Sequence, residues 1–390
     1  MKIKFIENDE SQGIDYDWKL ILKEYKKLGV PSEFDYSDVI PFDSNLKWHI
    51  LLSTKSVGKT TVLLLIGLIM YKLYGTQTQI VRHRNANAGF YDRLYQVICT
   101  FNDGQYMKRL FGDKYNTIKY FQRNFYLANY KDGKTVKSEE KIAVALSSDD
   151  CYNLCSKYDA PRGDLIILDE CFTDENTPEE FIHFINLHKT IVRDRMSDKI
   201  FILGNNYDAN NIWFRQLTIA NDIRKVKMGD NKILYTNMHM PIYVNFLTPR
   251  SGEKRKRFNK NHYGFDNSEL NAITGLGDWS IKEYPQICEL KNRETLCRGV
   301  YFNFMDDQFM EGEFMQADGG IFFAVHPANP FRAKRGTLVY VMRQPCADNE
   351  IYFFNDRLAC RIKEMIANLR IVFSDNQTGD LFSKFIKETS

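Results

Sequence analysis

The stretch Ser53-Thr54-Lys55-Ser56-Val57-Gly58-Lys59-Thr60 decides the fold that we predict for this chain of 390 residues. It follows an apolar run, Trp48 to Leu52, and opens another, Val62 to Tyr71, so the predicted order is strand, tight turn and helix. In this setting the backbone N–H groups of the turn and the positive end of the helix form a cradle for phosphate. We therefore predict that these eight residues bind ATP, with a chance Gly-Lys-Thr after a strand as the alternative.

Three residues at the end of this loop have specific predicted roles. Gly58 lets the backbone approach the phosphates because it has no Cβ. We expect Lys59 to reach the β- and γ-phosphates and the Thr60 hydroxyl to bind Mg²⁺. The standard pattern of such loops begins with glycine, whereas this chain has Ser53 at that place.

Composition limits the classes of protein to consider. A length of 390 residues favours two domains, and 44% hydrophobic residues are ample for buried cores. The net charge of +3 is too small to predict nucleic-acid binding for the whole chain, so any such prediction must rest on a local cluster. The eight cysteines form no Cys-x-x-Cys pair, which favours a reducing cytoplasm. We expect no signal peptide and no membrane association, because the longest apolar run is far shorter than the ~20 residues that span a bilayer.

A second motif is Asp164-Leu165-Ile166-Ile167-Leu168-Asp169-Glu170. Its continuous apolar run is typical of a strand that is buried on both faces of a parallel sheet, and open α/β sheets bind ligands at the carboxyl ends of such strands. We expect Asp169 to hold Mg²⁺ and Glu170 to polarise the water that attacks the γ-phosphate. A buried strand that happens to end in acids is the alternative, and the phosphate-binding loop upstream makes that alternative the weaker one.

A third apolar strand, Lys199 to Leu203, ends in Gly204-Asn205-Asn206. In ATPases with an extra strand between the two nucleotide-binding strands, a polar residue at this end senses the γ-phosphate, and we predict that role for Asn205, with Asn206 as the second choice. Asparagines at a strand end are also ordinary turn residues. Arg193, just before this strand, is either a solvated residue at a helix end or an arginine finger for a neighbouring subunit.

The clearest cluster of positive charge lies between residues 248 and 262 and reads as a linker between domains. Such a block is usually a solvated connector, but it is also the obvious local candidate for contact with the DNA backbone. The predicted DNA-binding residues are Lys254, Arg255, Lys256, Arg257 and Lys260.

Other elements follow from periodicity and turn signals. We predict a helix from Trp18 to Leu28, a strand from Gln79 to Val81, a long helical region from Gly89 to Phe111, and a hairpin turn at Asp132-Gly133 with a connection longer than two residues. Beyond residue 278 the predicted strands are Arg298–Phe304, Gly320–Val325, Gly336–Met342 and Leu369–Phe373, and the predicted helices are Asn355–Leu369 and Leu381–Ile386.

These motifs together resemble the DNA-packaging ATPases of small short-tailed phages with protein-primed linear genomes, the phi-29-like group. The segment Asn186 to Arg195 followed by the strand end Leu203-Gly204-Asn205 is similar to a family segment with Arg-x-Arg before a Leu-Ser-Asn strand end. Asp375-Asn376-Gln377 followed by Leu381-Phe382-x-Lys384 is similar to the family's C-terminal region. The likeness is continuous over about 48–265. Ser53 and Lys55 depart from the family's glycine and arginine at those places.

The resemblance implies an α/β fold with three parts. Residues 1–243 would be an ASCE-type P-loop ATPase domain with a mainly parallel sheet, 244–277 a small linker domain, and 278–390 an α/β RNase H-like domain whose nuclease is vestigial. It also implies a ring, a pentamer, that works on the portal of an empty capsid with ATP and Mg²⁺ and drives double-stranded DNA inward, in some members with a packaging RNA. The protein would then lie in the host cytoplasm, attached transiently to the portal vertex and absent from the mature virion. Arg193 becomes the finger that acts in trans, with Lys157 as a further trans candidate.

Two other functions remain open from the sequence. A terminase with an active nuclease needs clustered carboxylates that hold two metal ions about 4 Å apart, and the later domain offers Asp306, Asp307, Asp318 and Asp356. A nucleotide-gated scaffold that binds DNA or capsid without sustained turnover would have less need of Glu170.

Overall fold

The computed structural model describes residues 14–53, 58–82, 88–147, 163–172, 176–192, 197–205, 211–248, 250, 284–304, 309–328, 337–342, 345, 347–353 and 356–389. The chain divides into two compact units, Met1–Ser280 and Ile281–Ser390. Several predicted site residues lie outside the described residues, namely Thr54 to Val57, Lys157, Arg193, Asn206 and the basic run from Lys254 to Lys260.

One sheet organises the first unit. Its nine described strands are β1 (Trp48–Ser53), β2 (Thr78–Arg82), β3 (Thr117–Phe121), β4 (Asn124–Lys131), β5 (Lys134–Ser147), β6 (Leu165–Asp169), β7 (Lys199–Asn205), β8 (Asn231–Tyr235) and β9 (Pro241–Phe246). They lie in the order β3-β4-β5-β2-β6-β7-β1-β9-β8. The six strands from β5 to β9 in this order are parallel, and antiparallel strands complete both edges. The sheet is therefore mainly parallel, as predicted.

The two nucleotide-binding strands are not neighbours in this sheet. β7 lies between β1 and β6 and pairs with both, so the extra strand that the sequence predicted is present. All the residues of β1 and β6, and all but the last of β7, are buried. Burial on both faces explains why these strands are continuous apolar runs rather than alternating patterns.

Seven described helices accompany this sheet: α1 (Trp18–Leu28), α2 (Lys59–Tyr74), α3 (Ala88–Thr100), α4 (Gln105–Phe111), α5 (Pro178–Val192), α6 (Ile212–Gln216) and α7 (Ala220–Ile223). α2 is apolar around most of its circumference and is buried in the main core of the unit. A Cβ at Gly67 would lie 2.1 Å from the Thr78 hydroxyl, so this glycine permits the close packing of α2 on β2. α2 is thereby fixed directly behind the phosphate-binding loop.

Two predictions about this unit need correction. The predicted helical region from Gly89 to Phe111 is two helices, because Asn102, Asp103 and Gly104 all adopt positive φ angles that no helix can continue through. The hairpin connection between β4 and β5 is only the two residues Asp132 and Gly133, both with positive φ, as a tight two-residue turn requires.

The second unit contains a mixed sheet of six strands. These are β10 (Glu294–Asn303), β11 (Phe309–Ala317), β12 (Gly320–Ala328), β13 (Val339–Val341), β14 (Glu350–Tyr352) and β15 (Ile371–Phe373), in the order β14-β13-β10-β11-β12-β15. β10, β11 and β12 are an antiparallel meander, and the other three strands join it in parallel. Helices α8 (Arg357–Ala367) and α9 (Asn376–Glu388) share a core with the sheet that is rich in phenylalanine. This is the α/β architecture that the resemblance implied.

None of the helices in the described part of the chain is long and apolar enough to cross a membrane.

Candidate active site

The parallel sheet brings the predicted motifs to one edge. Because β6, β7 and β1 are adjacent and parallel, their carboxyl ends lie side by side, and Ser53 is the register partner of Asn205. A cleft of about 420 Å³ opens at this edge. Its lining residues are Phe34, Gly58, Lys59, Thr60, Thr61, Phe90, Leu94, Asp169, Glu170, Leu203, Gly204 and Asn205.

The Lys59 ammonium is held at the base of this cleft. It donates hydrogen bonds to the Ser53 hydroxyl, at 2.5 Å, and to the Gly204 carbonyl oxygen, at 2.8 Å. Both Ser53 and Lys59 are buried. Ser53, which departs from the usual glycine, therefore supplies an acceptor for the lysine that glycine could not supply.

Thr60 and Asp169 form the part of the site that fits Mg²⁺. The Thr60 hydroxyl donates to Asp169 Oδ1 at 3.2 Å, which is close to the ~3 Å that separates neighbouring ligands in an octahedron with Mg–O bonds of about 2.1 Å. One carboxylate and one hydroxyl also match the way Mg²⁺ is usually bound, with waters and substrate phosphates as its other ligands. These two residues would hold the ion beside the phosphates.

Asp169 is itself tightly fixed. Its Oδ2 accepts a hydrogen bond from the Tyr91 hydroxyl at 3.1 Å, and its Oδ1 also accepts from the Glu170 backbone N–H at 3.1 Å. Asp169 is only 4% exposed, and burial, together with the nearby charge of Glu170, raises the pKa of its carboxyl group above the ordinary value. Burial, with the charge of Asp169 beside it, also raises the pKa of Tyr91, so this phenol stays a hydrogen-bond donor. A divalent cation would relieve the buried negative charge.

Glu170 stands at the rim of the cleft. Its backbone adopts φ = 51°, in the left-handed region that non-glycine residues rarely occupy and that is often found at functional sites. Its side chain is 52% exposed and forms an ion pair with Arg82, whose guanidinium lies 5.1 Å from the centre of the Phe90 ring. Arg82 ends β2 and is the register partner of Asp169, which is why it reaches the neighbouring carboxylate. The Glu170 carboxylate is thus held where a water molecule in the cleft can reach it.

The structure brings together every predicted site residue that it describes in the first unit. Ser53, Gly58, Lys59 and Thr60 from the loop, Asp169 and Glu170 from β6, and Asn205 from β7 all contribute to one cleft or to its Lys59 contact. Asn205 lies at the carboxyl end of β7, as a sensor requires, and its sensing role stays a prediction.

Sequence reasoning missed three contributors to this site. Arg82 belongs to no motif, and its contact with Glu170 follows only from the pairing of β2 with β6. Tyr91 and Phe34 carry no sequence signal, because each comes from a segment that shares no motif with the loop. A pairing of β2 with β6, had it been predicted, would have placed Arg82 beside the two carboxylates.

The acids proposed for a nuclease do not form a metal site in the described residues. Asp356 caps α8 by accepting from the Leu358 and Ala359 backbone N–H groups and accepts from the Tyr340 hydroxyl, and Asp318 accepts from the Asn292 side chain. No group of three or more His, Cys, Asp or Glu residues in the described parts of the chain could hold a metal ion. Asp306 and Asp307 lie outside those parts.

No protein-family model matches the chain, and no curated protein matches its sequence. Solved structures do match. The Phi-28 gp11 DNA packaging motor is 15% identical, with a TM-score of 0.53 over 92% of this chain and 99% of that one. The bacteriophage Phi-29 viral genome packaging motor assembly is also 15% identical, with a TM-score of 0.56 over the same shares of the two chains. At this identity the likeness shows the fold alone. The chain therefore has the fold of these two phage DNA-packaging motors, as its sequence resemblance predicted.

Proposed function

We propose that this protein is an ATP-hydrolysing motor that translocates double-stranded viral DNA into an empty capsid. The observation that carries the proposal is the single cleft in which Lys59, Thr60, Asp169, Glu170 and Asn205 converge. This set supplies a cation that can bind phosphate, two ligands for Mg²⁺, a carboxylate that can polarise water and a polar residue that can sense the γ-phosphate. A fold shared with two packaging motors supports the coupling of that chemistry to DNA.

The roles in hydrolysis follow from the geometry. Lys59 binds the β- and γ-phosphates in place of its contacts with Ser53 and Gly204. Thr60 and Asp169 would hold Mg²⁺, which would supply positive charge beside the transferred phosphoryl group. Glu170 polarises the attacking water, and its pairing with Arg82 fixes the carboxylate at the rim. Asn205 senses the γ-phosphate at the end of β7.

Arg193 acts on a neighbouring subunit in this proposal. The described residues that flank it lie at the edge of the sheet opposite the cleft: α5 ends at Val192, and Ser197 donates a hydrogen bond to Asp164, just before β6 begins. The seven residues of β7 separate that edge from the cleft by about 20 Å. Arg193 itself lies outside the described residues, and the resemblance to a family whose finger is supplied in trans supports this role, with Lys157 as a further trans candidate.

The remaining parts of the proposal concern the partners. The basic residues from Lys254 to Lys260 contact the DNA backbone, the protein assembles as a pentameric ring on the portal, and some packaging RNA can serve as an additional partner. The second unit is a vestigial nuclease domain that contacts DNA, portal or RNA. The protein acts in the host cytoplasm and leaves the capsid before the virion matures.

One experiment tests the function directly. Steady-state ATP hydrolysis is measured for the protein alone, with double-stranded DNA, and with DNA and portal-bearing capsids. We expect hydrolysis to rise in the presence of DNA and capsids and DNA to become resistant to nuclease inside them. Hydrolysis without any DNA protection would favour a different ATPase, and absence of hydrolysis would favour a nucleotide-gated scaffold. Cleavage of a plasmid that depends on a divalent metal would instead indicate an active nuclease.

A further inference from the structure

Strands β3, β4 and the first half of β5 form an antiparallel ribbon at one edge of the first sheet, and the two faces of this ribbon differ in composition. Ile118, Phe125 and Leu127 lie on one face and are buried in the main core of the unit. The register pairs Ile118 with Leu127 and Lys119 with Tyr126. Because side chains alternate along a strand and register partners share a face, Lys119 and Tyr126 lie on the other face.

Three more side chains share this second face. Phe121 follows Lys119 by two positions in β3, and Tyr130 follows Tyr126 by four positions in β4. The Lys137 ammonium group of β5 lies 3.9 Å from the centre of the Tyr126 ring and 5.9 Å from the centre of the Phe121 ring. We call the surface formed by Lys119, Phe121, Tyr126, Tyr130 and Lys137 the hairpin face.

The hairpin face exposes aromatic rings to solvent. Phe121 is 47% exposed and Tyr130 is 58% exposed, and Tyr126 between them is half-buried. From Asn124, the register partner of Phe121, to Tyr130 the strand rises by about 20 Å, so the three rings are spread along the ribbon. Aromatic side chains spaced along an open sheet face are a platform on which unpaired bases stack.

The charges of the ribbon are mainly positive. Between residues 117 and 147 the chain has six lysine and arginine residues against three acidic ones, an excess as large as the net charge of +3 of the whole chain. One of those acids, Glu140, already accepts hydrogen bonds from Lys114 and Tyr115. Lys119 and Lys137 are exposed, and neither forms an ion pair with an acid in the described part of the chain. The hairpin face therefore offers unneutralised positive charge beside its aromatic rings, which attracts phosphate groups.

The tip of the hairpin adds to this charge. Lys131 and Lys134 are register partners on either side of the two-residue turn, and both are exposed. Like charges directly opposite each other destabilise a pair of strands. An anion bound between the two ammonium groups would relieve that repulsion, so the tip also favours an anionic partner.

We propose that the hairpin face binds single-stranded nucleic acid. The site is separate from the nucleotide cleft, whose described lining contains none of the residues of the hairpin face. Bases stack on Phe121 and Tyr130, and the lysines of the face and of the tip pair with the phosphates. A duplex is the poorer partner, because its bases already stack on one another and would leave both rings uncovered.

The test compares three fluorescently labelled ligands of equal length, namely oligouridine RNA, oligothymidine DNA and a DNA duplex of mixed sequence. Their dissociation constants are measured by fluorescence anisotropy for the wild type and for Phe121→Leu, Tyr130→Leu and Tyr130→Trp. Each leucine variant should bind the single strands roughly five- to a hundredfold more weakly and the duplex as the wild type does, because leucine is apolar but offers no ring for stacking. Tyr130→Trp should keep the wild-type values.

A matched control and a salt titration complete the test. Tyr235→Leu removes a tyrosine that is 55% exposed in β8, at the opposite edge of the same sheet, and should change the affinity for none of the three ligands. Lys119→Gln combined with Lys137→Gln should flatten the slope of log affinity for the single strands against log salt, by about 0.7 for each lost phosphate contact.

The outcomes separate this site from the proposed function. Unchanged binding of both single strands in the two leucine variants would overturn the proposal, and so would a wild-type protein that binds neither strand. Equal weakening of the single strands and the duplex would show a surface that acts by charge without stacking, and would overturn it too. A loss confined to the RNA or to the DNA strand would support the site and identify the strand that it takes. Because none of these measurements uses ATP, a failure of this proposal leaves the proposed function untouched.

Discussion

Asp169 and Glu170 are adjacent carboxylates in opposite surroundings. Asp169 is buried and surrounded by the hydroxyls of Thr60 and Tyr91, whereas Glu170 projects to the rim and pairs with Arg82. Asp169 is therefore suited to bind a cation and Glu170 to contact water. Substitutions of the two residues should accordingly differ in their effects on stability and catalysis.

Asp169→Asn should make the nucleotide-free protein more stable at neutral pH. Burial raises the pKa of Asp169 in the folded state, so the folded protein binds this proton more tightly than the unfolded chain does. The contribution of Asp169 to stability therefore falls as the pH rises from its ordinary value through the raised value, and the neutral amide removes that penalty. Thermal unfolding without Mg²⁺ should show a melting temperature higher by a few degrees at neutral pH, at about 2–4 °C per kcal/mol.

The gain from Asp169→Asn should shrink as the pH falls through the raised pKa of Asp169, and Mg²⁺-ATP should stabilise this variant less than the wild type. A variant that melts below the wild type at every pH would mean that the Tyr91 and Thr60 contacts outweigh the buried charge.

Glu170→Gln should bind ATP and Mg²⁺ but lose most of its turnover, because the amide keeps the shape and removes the charge that polarises water. Lys59→Ala should instead weaken ATP binding, because it removes the cation at the phosphates. Calorimetry and steady-state hydrolysis of the two variants separate these effects. Wild-type turnover in Glu170→Gln would show that another residue activates the water.

At the residue scale the sequence predicted the identities in the site better than their contacts. Lys59, Thr60, Asp169 and Glu170 carry motif signals because phosphate and metal chemistry restricts which side chains can stand there. The contact of Ser53 with Lys59 was not predictable, since it depends on how the lysine side chain turns back toward β1.

The carboxyl end of β7 combines three contacts in two residues, Gly204 and Asn205. The Gly204 carbonyl oxygen accepts from Lys59, Asn205 lines the cleft, and the face of Gly204 packs against Phe172. A Cβ at Gly204 would lie 1.9 Å from the Phe172 ring, which itself packs 4.4 Å, centre to centre, from Phe214. The end of β7 can therefore approach the segment that carries Phe172 only because Gly204 has no side chain.

Gly204→Ala should lower the free energy of unfolding by about 1–3 kcal/mol, the usual cost of adding a methyl group to a packed interior. It should also reduce ATP hydrolysis, because the strand end that carries the Lys59 acceptor must shift. Urea unfolding measures the first effect, with Phe172→Leu as the single-variant control. The double variant should recover part of the loss, since the shorter side chain makes room. An unfolding midpoint equal to that of the wild type in Gly204→Ala would refute this packing.

At the element scale, the sequence predicted the strands that are buried on both faces but missed β11, whose environment is mixed. β11 was not predicted because it carries Glu311, Glu313 and Gln316 among its apolar residues. In the structure Glu313 is buried between Arg298 and His326, and no local pattern signals such a cross-strand arrangement. The hairpin connection was predicted to be longer than two residues because the first half of β5 is polar and has the composition of a loop.

At the scale of the assembled ring, we expect each active site to be formed by residues of two neighbouring subunits. Arg193→Ala should fold, bind ATP nearly normally and hydrolyse it poorly, because an arginine finger is worth ~10³–10⁵ in rate where measured. Mixing it with Glu170→Gln subunits should restore part of the activity, since some interfaces of a mixed ring pair an intact Glu170 with an intact Arg193. No recovery, with mixed assembly confirmed, would mean that Arg193 does not act across an interface.

DNA affinity should depend on salt through the basic run. Replacing Lys254, Arg255, Lys256 and Arg257 by glutamine should flatten the slope of log affinity against log salt, by roughly 0.9 for each lost contact with duplex DNA. The matched control is Lys23→Gln with Lys26→Gln on the exposed face of α1, which should leave the slope unchanged. A flattened slope in the control alone, or an unchanged slope in the quadruple variant, would identify the run as a solvated connector.

The place of β1 in the sheet has a consequence for biosynthesis. Its two partners, β7 and β9, follow it by about 150 and 190 residues, so the ribosome produces the strand that leads into the phosphate-binding loop long before it produces either neighbour. Pairings so distant in sequence form slowly, and until they form the apolar strand and the helix behind it stay open to aggregation. A nascent chain should therefore remain unable to consume ATP, and in need of chaperones, until Phe246 has left the exit tunnel. Enzymatic competence would then arise in one late step of folding rather than by degrees.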